Sequence, residues 1–474
     1  MTLFRQASRA LGWSFLNTLL GRFGTLAIGI LLARVLGPKE FGVFAVAMVA
    51  LLAVLSFNEL GVSLAIVRWP GEPREIAPTV ATISVISSGL VYAGCFAGAP
   101  AFAAAMGAPA ATGVIRLLTL SVLIDGLVAT PAAMLQRAFR QDRKMIADQV
   151  NSWGGAAVSV VLALTGWGAM SLAVGRLAGA VGSGVLLVAF SPEPPRFGFD
   201  RAVARRLLRF GLPLAGSSVV VFAVGGVDQF VVGDVLGPTA LGFYVLAFNL
   251  SNWPVGMFSQ PVRSVAPAAF ARLQHDAPAM RRTFLSTAGL LTAVTLPVCL
   301  LLGGAAGPLV RFVYGSRWEP AAAALFWLAL LGGLRILFEL MYDYFVVLTR
   351  TRAVFTIQIV WLSVLVPALI IGARLDGIAG AAAAHATVAA LVPLPLYLTQ
   401  LRRVGIGVRA VGARVAPAVL VASVVGPAAV LVHRAIPFDL LALAVAGTVA
   451  VTATGLLVYR MRGVLRELRG AEHA

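Results

Sequence analysis

The side chains most able to do chemistry are charged and polar residues spaced along one face of long apolar runs. Ser14, Thr18, Arg22, Thr25 and Gly29 recur at intervals of four, four, three and four, which lines them along one face of a helix. Asn249, Asn252, Gly256, Ser259 and Arg263 do the same at intervals of three, four, three and four. A guanidinium at such a position can hold two oxygens of a phosphate at once, and amides and hydroxyls beside it suit a polyhydroxylated ligand. Asp228 could pair with Arg22 or take up a coupling proton. Arg335, Glu339 and Asp343 recur every fourth residue, compatible with an Arg–Glu pair within one helix or with a gating or proton-relay role. An ionised side chain at the centre of a membrane helix costs about 2.5–3.5 kcal/mol on insertion scales, so each needs a partner, water or a purpose. Arg34, Arg116, Asp125 and Arg176 are weaker candidates of the same kind, and Glu59 suits a headgroup contact or a surface ion pair.

The elements that must position these residues follow from composition. The chain is 474 residues long, 59% hydrophobic and only 12% charged, whereas soluble domains carry about 25% charged residues. Apolar runs of spanning length recur throughout. We place helices at 11–35, 41–67, 77–99, 111–135, 146–164, 168–190, 207–235, 240–267, 283–302, 320–348, 354–371, 377–398, 410–432 and 440–459. The net charge of +18 does not point to nucleic acid, because the basic residues lie between the apolar runs. With the N-terminus in the cytoplasm, twenty-six of the 37 Lys and Arg residues fall on the cytoplasmic side and five on the other. One missed helix would invert that asymmetry downstream, so both termini are expected in the cytoplasm. Met1 to Arg9 is short and basic with no cleavage site after it, so the first run reads as a retained helix.

The loops are too short to carry a domain. The longest, 191–206, contains Pro192, Pro194 and Pro195 and reads as a linker. The basic amphipathic stretch from Phe199 to Phe210 is expected on the membrane surface. Cys95 and Cys299 sit in apolar runs as buried thiols, with no spacing that suggests a disulfide or a metal. Gly179-Ala-Val-Gly-Ser-Gly184 lies within a helix, where small residues let helices approach, and is not a nucleotide loop. No cofactor is expected.

An internal repeat organises the chain. Val35-Leu-Gly-Pro38 and Val235-Leu-Gly-Pro238 stand 200 residues apart, as do Gly42 and Gly242, and Ala47 and Ala247. Six helices separate the copies, so both halves insert with the same orientation. The expected fold is all-α: about fourteen transmembrane helices, as two parallel six-helix repeats around a central cavity plus two C-terminal helices. The expected parts are 1–190, a linker at 191–206, 207–400, and 401–474.

The repeated Leu-Gly-Pro-x-x-x-Gly-x-(Phe/Tyr)-x-x-Ala turn resembles that of the multidrug/oligosaccharidyl-lipid/polysaccharide exporter superfamily. Phe57-Asn-Glu-Leu-Gly61, Asp228-Gln229 and the Pro261 to Phe270 segment add to the likeness, which extends from about Gly12 through the twelfth helix. Within that superfamily the chain is similar to exporters of lipopolysaccharide, colanic-acid or teichuronic-acid units. The resemblance implies a flippase, not an enzyme, in the bacterial inner membrane. It would move an undecaprenyl-pyrophosphate-linked oligosaccharide to the outer leaflet as a monomeric unit, next to polymerase and chain-length machinery. The polar faces then assign substrate binding to Arg22, Thr18, Thr25, Asn249, Asn252 and Arg263, and coupling or gating to Asp228, Arg335 and Glu339. A multidrug or small-cation antiporter would want an acid-dominated site, and here each polar face carries arginine. A lipid II flippase remains compatible. A membrane glycan polymerase or glycosyltransferase would want a large loop or a cluster of acids or histidines, and neither is evident.

Overall fold

The computed structural model describes residues 3–55, 63, 65–66, 71–194 and 196–462. Within these, the side chains of 3–23, 25–26, 210–223, 261, 264–265 and 268 are not described. The described residues form helices and no strand, as bilayer physics demands of a spanning chain whose backbone polar groups must be satisfied internally. There are fourteen long helical segments among them. They are α1 (3–36), α2 (38–55), α3 (Pro73–Ala105), α4 (Ala111–Arg137), α5 (141–164), α6 (Ala169–Phe190) and α7 (201–236). Then follow α8 (238–272), α9 (Ala277–Gly304), α10 (Ala321–Val347), α11 (351–375), α12 (378–403), α13 (Val408–Ala435) and α14 (Asp439–Arg460). Ten stretches of the described chain are long and apolar enough to cross a membrane; three of them, Ala27–Leu55, Val224–Ser259 and Thr351–Arg403, each run through two expected spans. The remaining expected span, α5, is divided by a π turn at Val150–Gly154.

The paired spans meet at glycines with backbone angles closed to other residues. Gly37 has φ 74° and ψ 174°, and Gly237 has φ 80° and ψ 178°, a region that is essentially glycine-only. The repeat read from the sequence is therefore also a repeat of conformation. Two further matches were not visible in residue identity. Gly168 before α6 (φ 53°, ψ −139°) is copied by Gly377 before α12 (φ 54°, ψ −137°). Phe139 between α4 and α5 (φ 54°) is copied by Thr349 between α10 and α11 (φ 56°). Each pair occupies the same place in its half, which supports parallel repeats of six helices with α13 and α14 outside them.

Contacts divide the chain into two compact units, Met1–Gly242 and Phe243–Ala474. In the first unit the two repeated turns lie against each other. A Cβ on Gly242 would come within 2.8 Å of the Pro38 carbonyl oxygen and 3.0 Å of the Gly42 Cα, and one on Gly42 would collide with the Pro238 carbonyl. Glycine at both positions of the motif is thus required by close backbone approach. Glu40, in the first turn, accepts a hydrogen bond from the Ala169 N–H at the start of α6 (2.9 Å), the N-terminal end that favours a carboxylate. Helices α5 and α6 meet through Gly155, Ser159, Gly175 and Gly179, the small-residue packing that replaces hydrophobic drive in lipid. Ile76, Val80, Met134, Ala204 and Leu207 join α3, α4 and the start of α7 in one buried cluster. Residues from Arg201 onward run unbroken into α7, so that helix starts six residues before the expected position 207.

In the second unit α13 lies along α9. A Cβ on Gly289 would sit 3.3 Å from the Arg414 carbonyl oxygen, and Gly304 packs against the backbone of Gly426. A short helix, Ala306–Tyr314, and a 3₁₀ turn, Ser316–Trp318, follow α9. Arg311 on that short helix donates to Asp439 at the start of α14 (Nη2–Oδ1 2.8 Å, Nε–Oδ2 3.1 Å) and to Glu319 (2.9 Å), with His433 Nε2 of α13 at 3.4 Å. The Asp439 hydrogen bond raises the Arg311 pKa above its ordinary value. Phe270, Phe284, Tyr344, Phe345 and Tyr397 form a continuous aromatic cluster across α8, α9, α10 and α12.

Candidate functional site

Two polar faces meet in the second unit. On α10, Arg335, Glu339 and Asp343 lie four residues apart, so they stack along one side of the helix, running from its middle toward its C-terminal end. On α8 the facing residues are Asn252, Ser259 and Arg263. Pro254 and Pro261 each remove a backbone donor from α8, and the helix passes between them through a π turn at Val255–Ser259. Such turns are rare and recur at functional sites.

The two faces form a ladder. Arg263 grips Asp343 with two donors, Nε to Oδ2 at 2.9 Å and Nη2 to Oδ1 at 3.1 Å. Its third nitrogen, Nη1, is 3.8 Å from Glu339 Oε1. Ser259 Oγ donates to Glu339 Oε2 at 2.6 Å. These two rungs share a sequence offset of 80 residues. Arg335 reaches one turn further back, donating to Asn252 Oδ1 at 2.8 Å while its guanidinium lies 5.4 Å from the Phe248 ring centroid, a cation–π distance. Arg335 and Glu339 therefore do not pair within α10; both reach across to α8. Two guanidiniums face two carboxylates, so the ladder is charge-balanced. Burial is uneven: the Asp343 side chain is 9% exposed and the Arg263 side chain 31%. Arg263 is accordingly fixed on one side and accessible on the other.

The expected site residues separate into three groups. Asn252, Arg263, Arg335 and Glu339 come together in the ladder, and Ser259 and Asp343 join them. Asn249 is exposed on α8 and is not one of the rungs, and Asp228 is fully buried in α7, where its Oδ1 accepts the Gln229 N–H at 2.8 Å. The side chains of Thr18, Arg22 and Thr25, and the whole of Glu59, lie outside the described residues. Among the weaker candidates, Arg116 donates to the Phe96 carbonyl (3.2 Å) and lies over its ring, a packing role. Arg176 lies within electrostatic reach of Asp125, and Arg34 is exposed. Asp343 was visible in the every-fourth spacing on α10, but nothing in the sequence singled it out as the main partner of Arg263. No group of three His, Cys, Asp or Glu residues suited to a metal occurs among the described residues.

An all-helical multi-pass membrane protein, built from two repeated sets of six helices and crossed by a charge ladder deep in its helices, has the architecture of a transporter. The chain belongs to the family described as polysaccharide biosynthesis protein, whose pattern it matches over residues 31–323. It is 28% identical to the succinoglycan biosynthesis transport protein ExoT of Rhizobium meliloti, over 70% of this chain and 67% of that one. It is 21% identical to the lipopolysaccharide biosynthesis protein WzxC of Escherichia coli, over 80% and 78% of the two chains. Its fold is that of the lipid II flippase MurJ in an inward closed conformation, with a TM-score of 0.77 over 96% of this chain and 99% of that one, at 14% identity.

Proposed function

We propose that this protein carries an undecaprenyl-pyrophosphate-linked oligosaccharide, an exopolysaccharide, capsule or O-antigen repeat unit, from the cytoplasmic to the outer leaflet by alternating access. The observation that carries the proposal is Arg263, clamped by Asp343 and Glu339 yet open on one side. A pyrophosphate competes for the same guanidinium with the same bidentate geometry. Protonation of Glu339 or Asp343 weakens their hold and frees Arg263 for the substrate. Re-ionisation restores the clamp and expels it. Ion uptake and substrate binding are thereby linked through one side chain, and nucleotide hydrolysis is not needed. Arg335, held by Asn252 and Phe248, supplies the second cation, and Asn249 and Asn252 offer amides to sugar hydroxyls.

On α1 we assign Arg22, Thr18 and Thr25 to substrate binding as well, and on α7 Asp228 to coupling. The six-helix halves 1–190 and 207–400 move about the linker 191–206, and 401–474 stays with the second half. The protein acts in the bacterial inner membrane with both termini in the cytoplasm, as a transporter and not an enzyme. Polysaccharide polymerase and chain-length machinery receive its product. The names of ExoT and WzxC, which place those relatives in polysaccharide biosynthesis and transport, support this reading.

The test is flipping in proteoliposomes loaded with the lipid-linked oligosaccharide, read by the sugar's accessibility to an external lectin. Wild type should expose the sugar well above empty vesicles, and Arg263→Ala should lose at least about tenfold of that rate, the value of one charge-assisted contact. Flipping by wild type no faster than empty vesicles would refute the function. Equal rates for wild type and Arg263→Ala would refute the site.

A further inference from the structure

The open side of α8 has a composition that lipid does not tolerate. Between Phe243 and Gln260 its exposed residues are Asn249, Met257 and Gln260, with Asn252, Trp253 and Gly256 half-buried among them. Their intervals of three and four place them on one side of the helix. Asn249 and Gln260 each lie eleven or more residues from the nearer end of α8, and Asn249 to Met257 falls within the apolar stretch Val224–Ser259. Other helices expose what hydrocarbon accepts: Phe355, Ile359, Val360 and Val364 on α11, and Val419, Leu420 and Val424 on α13. Where a hydroxyl is exposed on α11, as at Ser363, it bonds back to the Ile359 carbonyl of its own helix (2.9 Å).

The two exposed amides have no such escape. Neither Asn249 nor Gln260 makes a hydrogen bond among the described residues, and an unbonded amide in hydrocarbon is costly. This side of α8 therefore faces water. It runs beside the ladder: Asn252 accepts from Arg335, and Arg263, with its accessible side, stands one turn beyond Gln260. From Gln260 to Trp253 is about 10 Å along the helix axis, and from Gln260 to Asn249 about 16 Å, at 1.5 Å per residue. Amides that donate and accept, an indole and a flexible thioether make an uncharged surface suited to neutral sugar rings. Hydroxyls pair with the amides, and the C–H face of a pyranose lies on the aromatic ring.

We propose, resting on the reading of this protein as a flippase for a lipid-linked oligosaccharide, that Gln260, Trp253 and Asn249 form a stripe that reads the glycan. The cargo lies along α8 with its pyrophosphate at Arg263 and its sugars running toward Asn249. Gln260 meets the first sugar, Trp253 stacks on a ring further from the phosphate, and Asn249 bonds hydroxyls beyond it. The stripe makes transport depend on the sugars past the first, which the phosphate contact alone does not sense.

The test is the lectin-read flipping assay with two cargoes. One is the lipid-linked oligosaccharide extracted from the producing strain; the other is undecaprenyl pyrophosphate bearing its first sugar alone. The readout is the ratio of the two rates, full cargo over single-sugar cargo. That ratio should fall about tenfold in Trp253→Ala and several-fold in Asn249→Ala, while Trp253→Phe keeps most of it. Arg263→Ala and Gln260→Ala should slow both cargoes and leave the ratio as in wild type. Asn249 is exposed, so its replacement leaves folding intact, and the melting temperature verifies this. A ratio unchanged in both Trp253→Ala and Asn249→Ala, whether both cargoes slow together or neither does, would overturn the stripe and leave the flippase reading standing. Wild type moving neither cargo faster than empty vesicles would instead remove the function itself, and the stripe with it.

Discussion

Replacing Arg263 by alanine should harm the fold more than replacing its partner, and the difference follows from burial. Arg263→Ala leaves the Asp343 carboxylate, 9% exposed, without its two donors. Stranding one member of a buried pair costs about 3–5 kcal/mol; the residual solvent contact of Asp343 puts the expected loss at the low end, about 3 kcal/mol. Asp343→Ala strands a guanidinium that is 31% exposed and still has Glu339 Oε1 at 3.8 Å, so about 1.5 kcal/mol is expected. The double variant strands neither group. It should cost about 2–3 kcal/mol, less than the two singles together, giving a coupling energy of about 2 kcal/mol. The assay is equilibrium unfolding of the purified protein in mixed micelles, followed by far-ultraviolet circular dichroism. Additivity of the two changes within about 0.5 kcal/mol would show that Arg263 and Asp343 do not hold each other, and the competition mechanism would fall with it.

Four further outcomes follow. Gly42→Ala places a methyl group against the Pro238 carbonyl and should cost about 1–3 kcal/mol through overpacking; a melting temperature unchanged by it would contradict the contact between the repeated turns. Gly37→Ala and Gly237→Ala meet no steric obstacle but force φ above +70° on a side chain, so each should lose about 1–3 kcal/mol, and by similar amounts if the turns are true copies. Thr349→Gly relieves a positive φ and should be neutral or slightly stabilising in the same thermal assay, whereas Thr349→Pro should destabilise. Arg311→Ala removes the ties to Asp439 and Glu319 and should cost only about 1 kcal/mol, because Arg311 is partly solvated. It should, however, speed proteolysis between α13 and α14, and an unaltered cleavage rate would argue against that tie.

Much of this architecture was legible because lipid leaves so few options. Apolar runs and the one-sided distribution of arginine define spans without reference to tertiary contacts. The Leu-Gly-Pro motif marked a turn whose positive φ only glycine adopts. What stayed hidden depends on conformation and not on identity. Gly168 and Gly377 share backbone angles, but their flanking residues differ, and Phe139 and Thr349 are not even alike in type. Likewise, spacing put Arg335, Glu339 and Asp343 on one face of α10 and Ser259 and Arg263 on one face of α8. It could not show that these faces meet, because the same fourfold interval also fits an Arg335–Glu339 pair within the helix. The π turn between Asn252 and Arg263 was equally invisible, although Pro254, Gly256 and Pro261 are its local cause.

The most direct test of the account is complementation of a bacterial strain lacking its exopolysaccharide or O-antigen flippase. Wild type, Arg263→Ala and Arg263→Lys would be compared at equal membrane levels. Restored surface polysaccharide with wild type, lost with Arg263→Ala and partly regained with Arg263→Lys, is the expected result. Full restoration by Arg263→Ala would contradict the central claim that this guanidinium carries the cargo's phosphate.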